Sequence, residues 1–317
     1  MRMVFLTAGA MALLFFALPA PADELPEELE ALEEHFEDEE RLIEAARAFD
    51  LDQMELIEEK LEAARDLQAQ GETEAAQDKL AEAMEQRDVI RRAYEKVLTH
   101  YPENARAMMY LGDLLYDFYP AEEHEGVELW KEAVDIDPEL AGAHNSLGIH
   151  LCHMGEYEDG IYHIDKALEL GPDNADFLFN VTQLYMIHFP QVEEIKGWDR
   201  ERIYETAMDM SRRAAELRPD DYTFLQDYAQ GYFSAENFGV EPDWSAAAEA
   251  WERAREHAPR EDVVFYTWLN EARAWERDGS PGEALRCVNE ALELQPDSHA
   301  AQNLKERVRQ DAEDAGG

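Results

Sequence analysis

Histidine and cysteine cluster once in this chain, at His144, His150, Cys152, His153 and His163. Imidazole nitrogens and a thiolate are the ligands zinc prefers, so the cluster is the first place to look for metal chemistry. His150 and His153 are three positions apart and share a helical face. Cys152 lies two positions from His150, and side chains at that spacing do not face each other. The pattern also lacks the i, i+4 histidines and intervening Glu of zinc proteases. Ordinary packing explains the cluster better, and no metal is expected. The run from Asp50, DLDQMELIEE, starts like a calcium loop and then lacks the turn glycine. There is no glycine-rich phosphate loop and no G-x-S-x-G elbow. Acidic pairs are frequent, but a charge-rich helical surface produces them by chance. The expectation is a non-enzyme without a cofactor.

The elements that would position any site are written in the prolines. WKEAVDIDP ends at Pro138, IDKALELGP at Pro172, SRRAAELRP at Pro219, WERAREHAP at Pro259 and VNEALELQP at Pro296. A helix usually stops before a proline, so each phrase reads as the end of a helix. Pro138 and Pro172 are 34 positions apart, a spacing typical of helical repeats. The next intervals are 47 and 40. The excess falls in His188–Asp199 and Ser234–Trp244, each either a binding insertion or an extended helix end carrying an inward Trp198 or Trp244.

Asp and Glu number 73 against 28 Lys and Arg, a formal charge of −45. That balance excludes a nucleic-acid partner, which needs cations to displace phosphate counterions, and favours basic partners. Arg2, the apolar run Met3–Leu18 and Ala20-Pro21-Ala22 read as a signal peptide over 1–22, cleaved before Asp23. The run is shorter than the roughly 20 residues of a bilayer span, so no stable membrane span is expected after cleavage. The expected location is periplasmic or secreted. Cys152 and Cys287 lie three repeats apart, beyond the Cα separation of about 7 Å that a disulfide allows.

Residues 73–296 resemble the tetratricopeptide repeat family. The signature is Leu147-Gly148, Gly160, Ile164, Ala167 and Pro172 in one unit. Leu111-Gly112, Gly126, Trp130, Ala133 and Pro138 occupy the same places in the unit before it, and later units repeat the small residues and the proline in the same order. The resemblance implies an all-α fold, with helix–turn–helix repeats stacked as a right-handed α-solenoid: one partial and about five full repeats. Residues 23–72 would be an acidic helical cap, and 297–317 a polar closing helix and tail. It also implies a non-catalytic scaffold that takes a peptide or helix of another protein in a concave groove lined by the first helix of each repeat. Carried over position by position, that lining is Met109, Asp113 and Tyr116; Asn145, Ile149 and His153; Phe179, Gln183 and Met186; and Gln226, Gln230 and Phe233. The amides would hold a partner's backbone, and Phe179, Met186, Ile187 and Phe233 would anchor its side chains. A separate reading makes the acidic surface itself the function, as a cation-binding or salt-adapted shell of an envelope protein. An enzyme is the least favoured reading.

Overall fold

Alternating blocks of apolar and acidic residues at helical spacing leave one stripe per helix to bury, and neighbouring helices satisfy each other's stripes. A computed structural model describes residues 27–315, and among them no strand occurs. The expected signal segment 1–22 lies outside the described residues. The contacts divide the chain into two compact units, one up to His150 and one from Leu151 onward.

The first unit opens with a 3₁₀ helix, Glu27–His35, followed by α1 (Glu39–Ala69), α2 (Thr73–His100), α3 (Ala105–Phe118) and α4 (Glu123–Ile136). Helix α5 (Ala141–His153) follows, and its last three residues belong to the second unit. The acidic section expected as a cap is largely one helix, α1, and it forms a long hairpin with α2. Its apolar positions Leu42, Ile43, Ala46 and Ile57 are buried with Ile90, Ala93, Tyr94 and Val97 of α2, while its Glu-rich side faces water. The calcium-like run from Asp50 is helical throughout. Asp50 is buried, ion-paired with Arg47, and accepts a hydrogen bond from Tyr94 Oη at 2.5 Å. Asn104 caps α3 by accepting from the Ala107 amide at 2.8 Å, the N-terminal role such side chains favour.

Helices α3 and α4 touch backbone to backbone. A Cβ placed on Gly126 would lie 2.7 Å from the Gly112 carbonyl oxygen, and one on Gly112 would lie 2.7 Å from the Trp130 ring. Only glycine permits this approach, which seats Trp130 in the unit's core with Met108, Val127 and Leu147.

The second unit contains α6 (Tyr157–Leu170), α7 (Ala175–Ile187), α8 (Phe189–Lys196), α9 (Arg200–Leu217), α10 (Tyr222–Gly231), a 3₁₀ turn and the short α11 (Ala235–Phe238). After these come α12 (Trp244–Glu256), α13 (Glu261–Asp278), α14 (Pro281–Leu294) and α15 (His299–Ala315). The principal packed pairs are α7 with α9, α10 with α12, α12 with α13, and α13 with α14. Helices α6, α9, α12 and α14 end two or three residues before Pro172, Pro219, Pro259 and Pro296, as α4 does before Pro138 in the first unit. Both insertions are folded. Helix α8 fills the first, with Trp198 edge-on to Tyr185 at 5.9 Å. The second is α11 and the chain up to Trp244, which is buried against Phe233. The closing helix α15 buries Ala301, Leu304 and Val308 against α14.

Candidate functional site

The carried-over positions fall on the first helices of the pairs, and each unit holds its own set. In the first unit Met109 is no open anchor. Its sulfur occupies the space a side chain at Gly142 would take, and the residue is buried in the core. Asp113, one helical turn on, is also buried. It accepts a hydrogen bond from Ser146 Oγ of α5 at 2.8 Å. Burial pushes its carboxyl up to about 7, the Ser146 bond opposing and the nearby Asp117 charge reinforcing. Asp117 is pushed up to about 6, again by burial, with Arg87 opposing. Arg87 of α2 is buried over the Phe118 ring at 4.0 Å, and its Nε and Nη2 have no hydrogen-bond partner. Tyr116 is half-buried between Trp130 and His150, whose Nδ1 lies 3.3 Å from the tyrosine oxygen. Asn145 and Ile149 of α5 are half-buried. His150 is thus engaged with a tyrosine, and Cys152 is buried, its thiol pushed up to about 12. Among the described residues no three His, Cys, Asp or Glu side chains converge to hold a metal ion.

Asp113 yields a pH prediction. Its folded carboxyl holds its proton more tightly than an unfolded aspartate, so the native state binds the extra proton between about pH 4 and 7. The stability cost is absent at acid pH, grows as pH rises through that window, and is complete above it. Asp113→Asn keeps an acceptor for Ser146 and removes the charge. The variant is expected to be more stable than the parent by up to about 4 kcal/mol at pH 8, with the advantage vanishing near pH 4. Urea midpoints across pH measure this; a constant difference at all pH values contradicts it.

In the second unit the first helices α7, α10 and α13 are joined side to side. Gln183 donates to Asp227, which also accepts from Ser211 Oγ at 2.5 Å. Asp227 is pushed up to about 6 by burial, against those two hydrogen bonds. Phe179 meets Phe224 edge-on at 5.7 Å. Tyr266 Oη donates to Gln230 Oε1 at 3.3 Å. Gln183, expected to face a partner's backbone, is therefore spent inside the fold, because α7 and α10 need an amide to satisfy a buried carboxylate. Phe233, expected as an anchor, packs against Trp244 and Trp251 with Arg277 over its ring. His153 is exposed. Met186 and Gln226 are half-buried, and Gln230 is exposed. Two residues outside the twelve selected positions stand out. Ile187 at the end of α7 is 64% exposed and Tyr266 on α13 is 38% exposed. Ile187 is one of the residues expected as an anchor, and Tyr266 falls on a carried-over lining position of the same register.

This arrangement of sequence-adjacent helix pairs is shared with solved structures. YrrB, described as a TPR protein with an unusual peptide-binding site, aligns with 68% of this chain and 99% of its own at a TM-score of 0.51 and 18% identity. The C-terminal part of a TPR repeat-containing protein from Cytophaga hutchinsonii covers 87% of this chain and 98% of its own, at a TM-score of 0.51 and 14% identity.

The chain has the tetratricopeptide repeat fold.

At sequence level, Photosystem I assembly protein Ycf3 of Acaryochloris marina (strain MBIC 11017) is 26% identical over 84 residues, 26% of this chain and 51% of that protein. The chain thus spans about half the length of that relative. No protein-family model matches the chain. Within the tetratricopeptide repeat fold, α3 and α5 in one unit and α7, α10 and α13 in the other are the first helices, and their lining side chains are those described above. No helix among the described residues is long and apolar enough to cross a membrane.

Proposed function

We propose that the chain is a non-catalytic protein-interaction scaffold, and that the α7–α10–α13 face of the second unit receives a segment of its partner. One observation carries this reading: Ile187 and Tyr266 are exposed apolar and aromatic residues on first helices whose neighbours are locked by internal hydrogen bonds. A pre-organised face loses little entropy on binding. Half-buried Met186 and Phe179 extend its apolar area, and Gln226 and Gln230 supply amides for a backbone. The lining is thinner than the sequence implied, since Met109, Gln183 and Phe233 serve the fold. The assembly protein that the chain partly matches is compatible with a scaffold. A photo-reactive residue at position 187 or 266 should crosslink a second protein in the native host, whereas one at the exposed Glu290 of α14 should not. Equal labelling at all three positions removes the proposal. The leader-like residues 1–22 support placing this work in the periplasm or outside the cell. Recovery of a chain that begins at Asp23 from that compartment tests this.

A second reading rests on the charge of −45, which favours a salt-adapted shell. Self-repulsion strains such a body, and salt relieves it within a Debye length of about 8 Å at physiological strength. The thermal midpoint should then climb steeply between low and molar salt. A flat profile discards this reading and leaves the scaffold untouched.

A further inference from the structure

We infer that the segment received by the α7–α10–α13 face is basic, with aliphatic or aromatic anchors interleaved among lysines or arginines. The inference rests on the face being a docking surface and specifies what docks there. The charges at the centre of the face are few and balance in number. The Asp227 carboxylate is held by Gln183 and Ser211, Arg273 keeps its positive charge while donating to the neutral Asn270 at 2.8 Å, and Arg277 pairs with Glu236 at 3.1 Å. Its apolar contacts are Met186 and Ile187 on one side and Tyr266 on the other. The loops and first turns that open its three helices are acidic, with Asp173 and Asp176 before and in α7, Asp220 and Asp221 before α10, and Glu261 and Asp262 in α13. These carboxylates outnumber the arginines beside them, which pair as Arg213–Asp173 at 3.1 Å, Arg218–Asp176 at 3.8 Å and Arg260–Asp262 at 3.0 Å, while His257 lies 4.0 Å from Asp220. A strip of little net charge with carboxylates along the edge where its helices begin, on a body of charge −45, attracts cations during encounter and disfavours anionic segments. Spacing follows from the helices. Two steps of 8–10 Å separate α7 from α13, so an extended chain at about 3.3 Å per residue places its two anchors roughly five or six residues apart.

A selection that presumes no sequence tests this. Phage-displayed random dodecapeptides are selected on the immobilised full-length chain and counter-selected on an Ile187→Ser, Tyr266→Ser variant. Both changes are at exposed positions and leave the net charge unaltered, so adsorption to the acidic body cancels, and circular dichroism confirms that the variant is folded. Peptides held by the parent and weakened about tenfold or more on the variant, a step of roughly 1.4 kcal/mol, are expected to be enriched in Lys and Arg over the input and to release as salt rises. If the face-dependent peptides prove neutral or acidic, the basic partner is wrong and the docking face stands. If no peptide distinguishes parent from variant, both fall.

Discussion

Replacing Glu271 with alanine is expected to remove about 3–5 kcal/mol of stability, the usual consequence of breaking a buried ion pair from one side. Glu271 lies on α13 with 1% of its surface exposed. It is ion-paired with Arg255 of α12, pairs with Arg286 of α14 at 3.2 Å, and accepts from the Cys287 thiol at 3.1 Å. Arg255 is itself mostly buried and lies 3.3 Å over the Trp268 ring. Removing the carboxylate leaves a desolvated guanidinium with the Trp268 face and a long 3.8 Å approach to the exposed Glu252 for compensation. The pair is not a net gain over a well-packed apolar core, however, because both charges were taken out of water to form it. Arg255→Leu combined with Glu271→Leu should therefore recover most of what the single variant loses. Urea unfolding of the two variants measures both effects. A Glu271→Ala midpoint equal to the parent's would show that the carboxylate carries no such burden.

Gly112→Ala should cost about 2–3 kcal/mol, near the upper end of what one excess methyl group does in a packed interior. The added carbon would lie 2.7 Å from Trp130 and 2.8 Å from the Gly126 carbonyl oxygen. The second of these is backbone, which cannot rotate away. Gly126→Ala should behave alike, since its carbon would lie 2.7 Å from the Gly112 carbonyl oxygen. Gly282 is the internal control. It also lies in a helix, but nothing comes within 4 Å of an added carbon there. Gly282→Ala should leave stability unchanged or raise it by about 0.4–1 kcal/mol, through a less flexible unfolded chain. Thermal or urea midpoints of the three variants decide the matter. Three equal outcomes would mean that helix propensity alone is at work and that close approach is not.

These glycines also show why the fold could be read from the sequence. A helix end before proline and a small residue at a crossing are local consequences of covalent geometry, and each recurs often enough to be recognised. The two helices of a pair are neighbours in the chain, so the pairing needs no long-range inference. The site was harder. Lining positions can be counted along a helix, but the choice between facing a partner and facing the fold depends on the next helix. Gln183 was drawn inward by Asp227, forty-four positions away. Met109 was drawn in by the absence of a side chain at Gly142. Phe233 was claimed by Trp244, which arrives with an insertion whose path no periodicity specifies. Ile187 stayed exposed because α8 starts two residues later and carries the chain away from α7.

Helices α1 and α2 have 31 and 28 residues, against 14 in each of α3 and α4. At 1.5 Å per residue the hairpin runs for about 45 Å and the pair beside it for about 21 Å. More than half of the hairpin's length thus outreaches its neighbours, and the arms near Gly71 are steadied mainly by each other. Such a projection can fray at its tip while its root stays folded, since local opening there exposes few contacts. The first unit therefore carries a lever whose outer end can be moved, trimmed or gripped at little energetic cost to the tetratricopeptide pairs at its base.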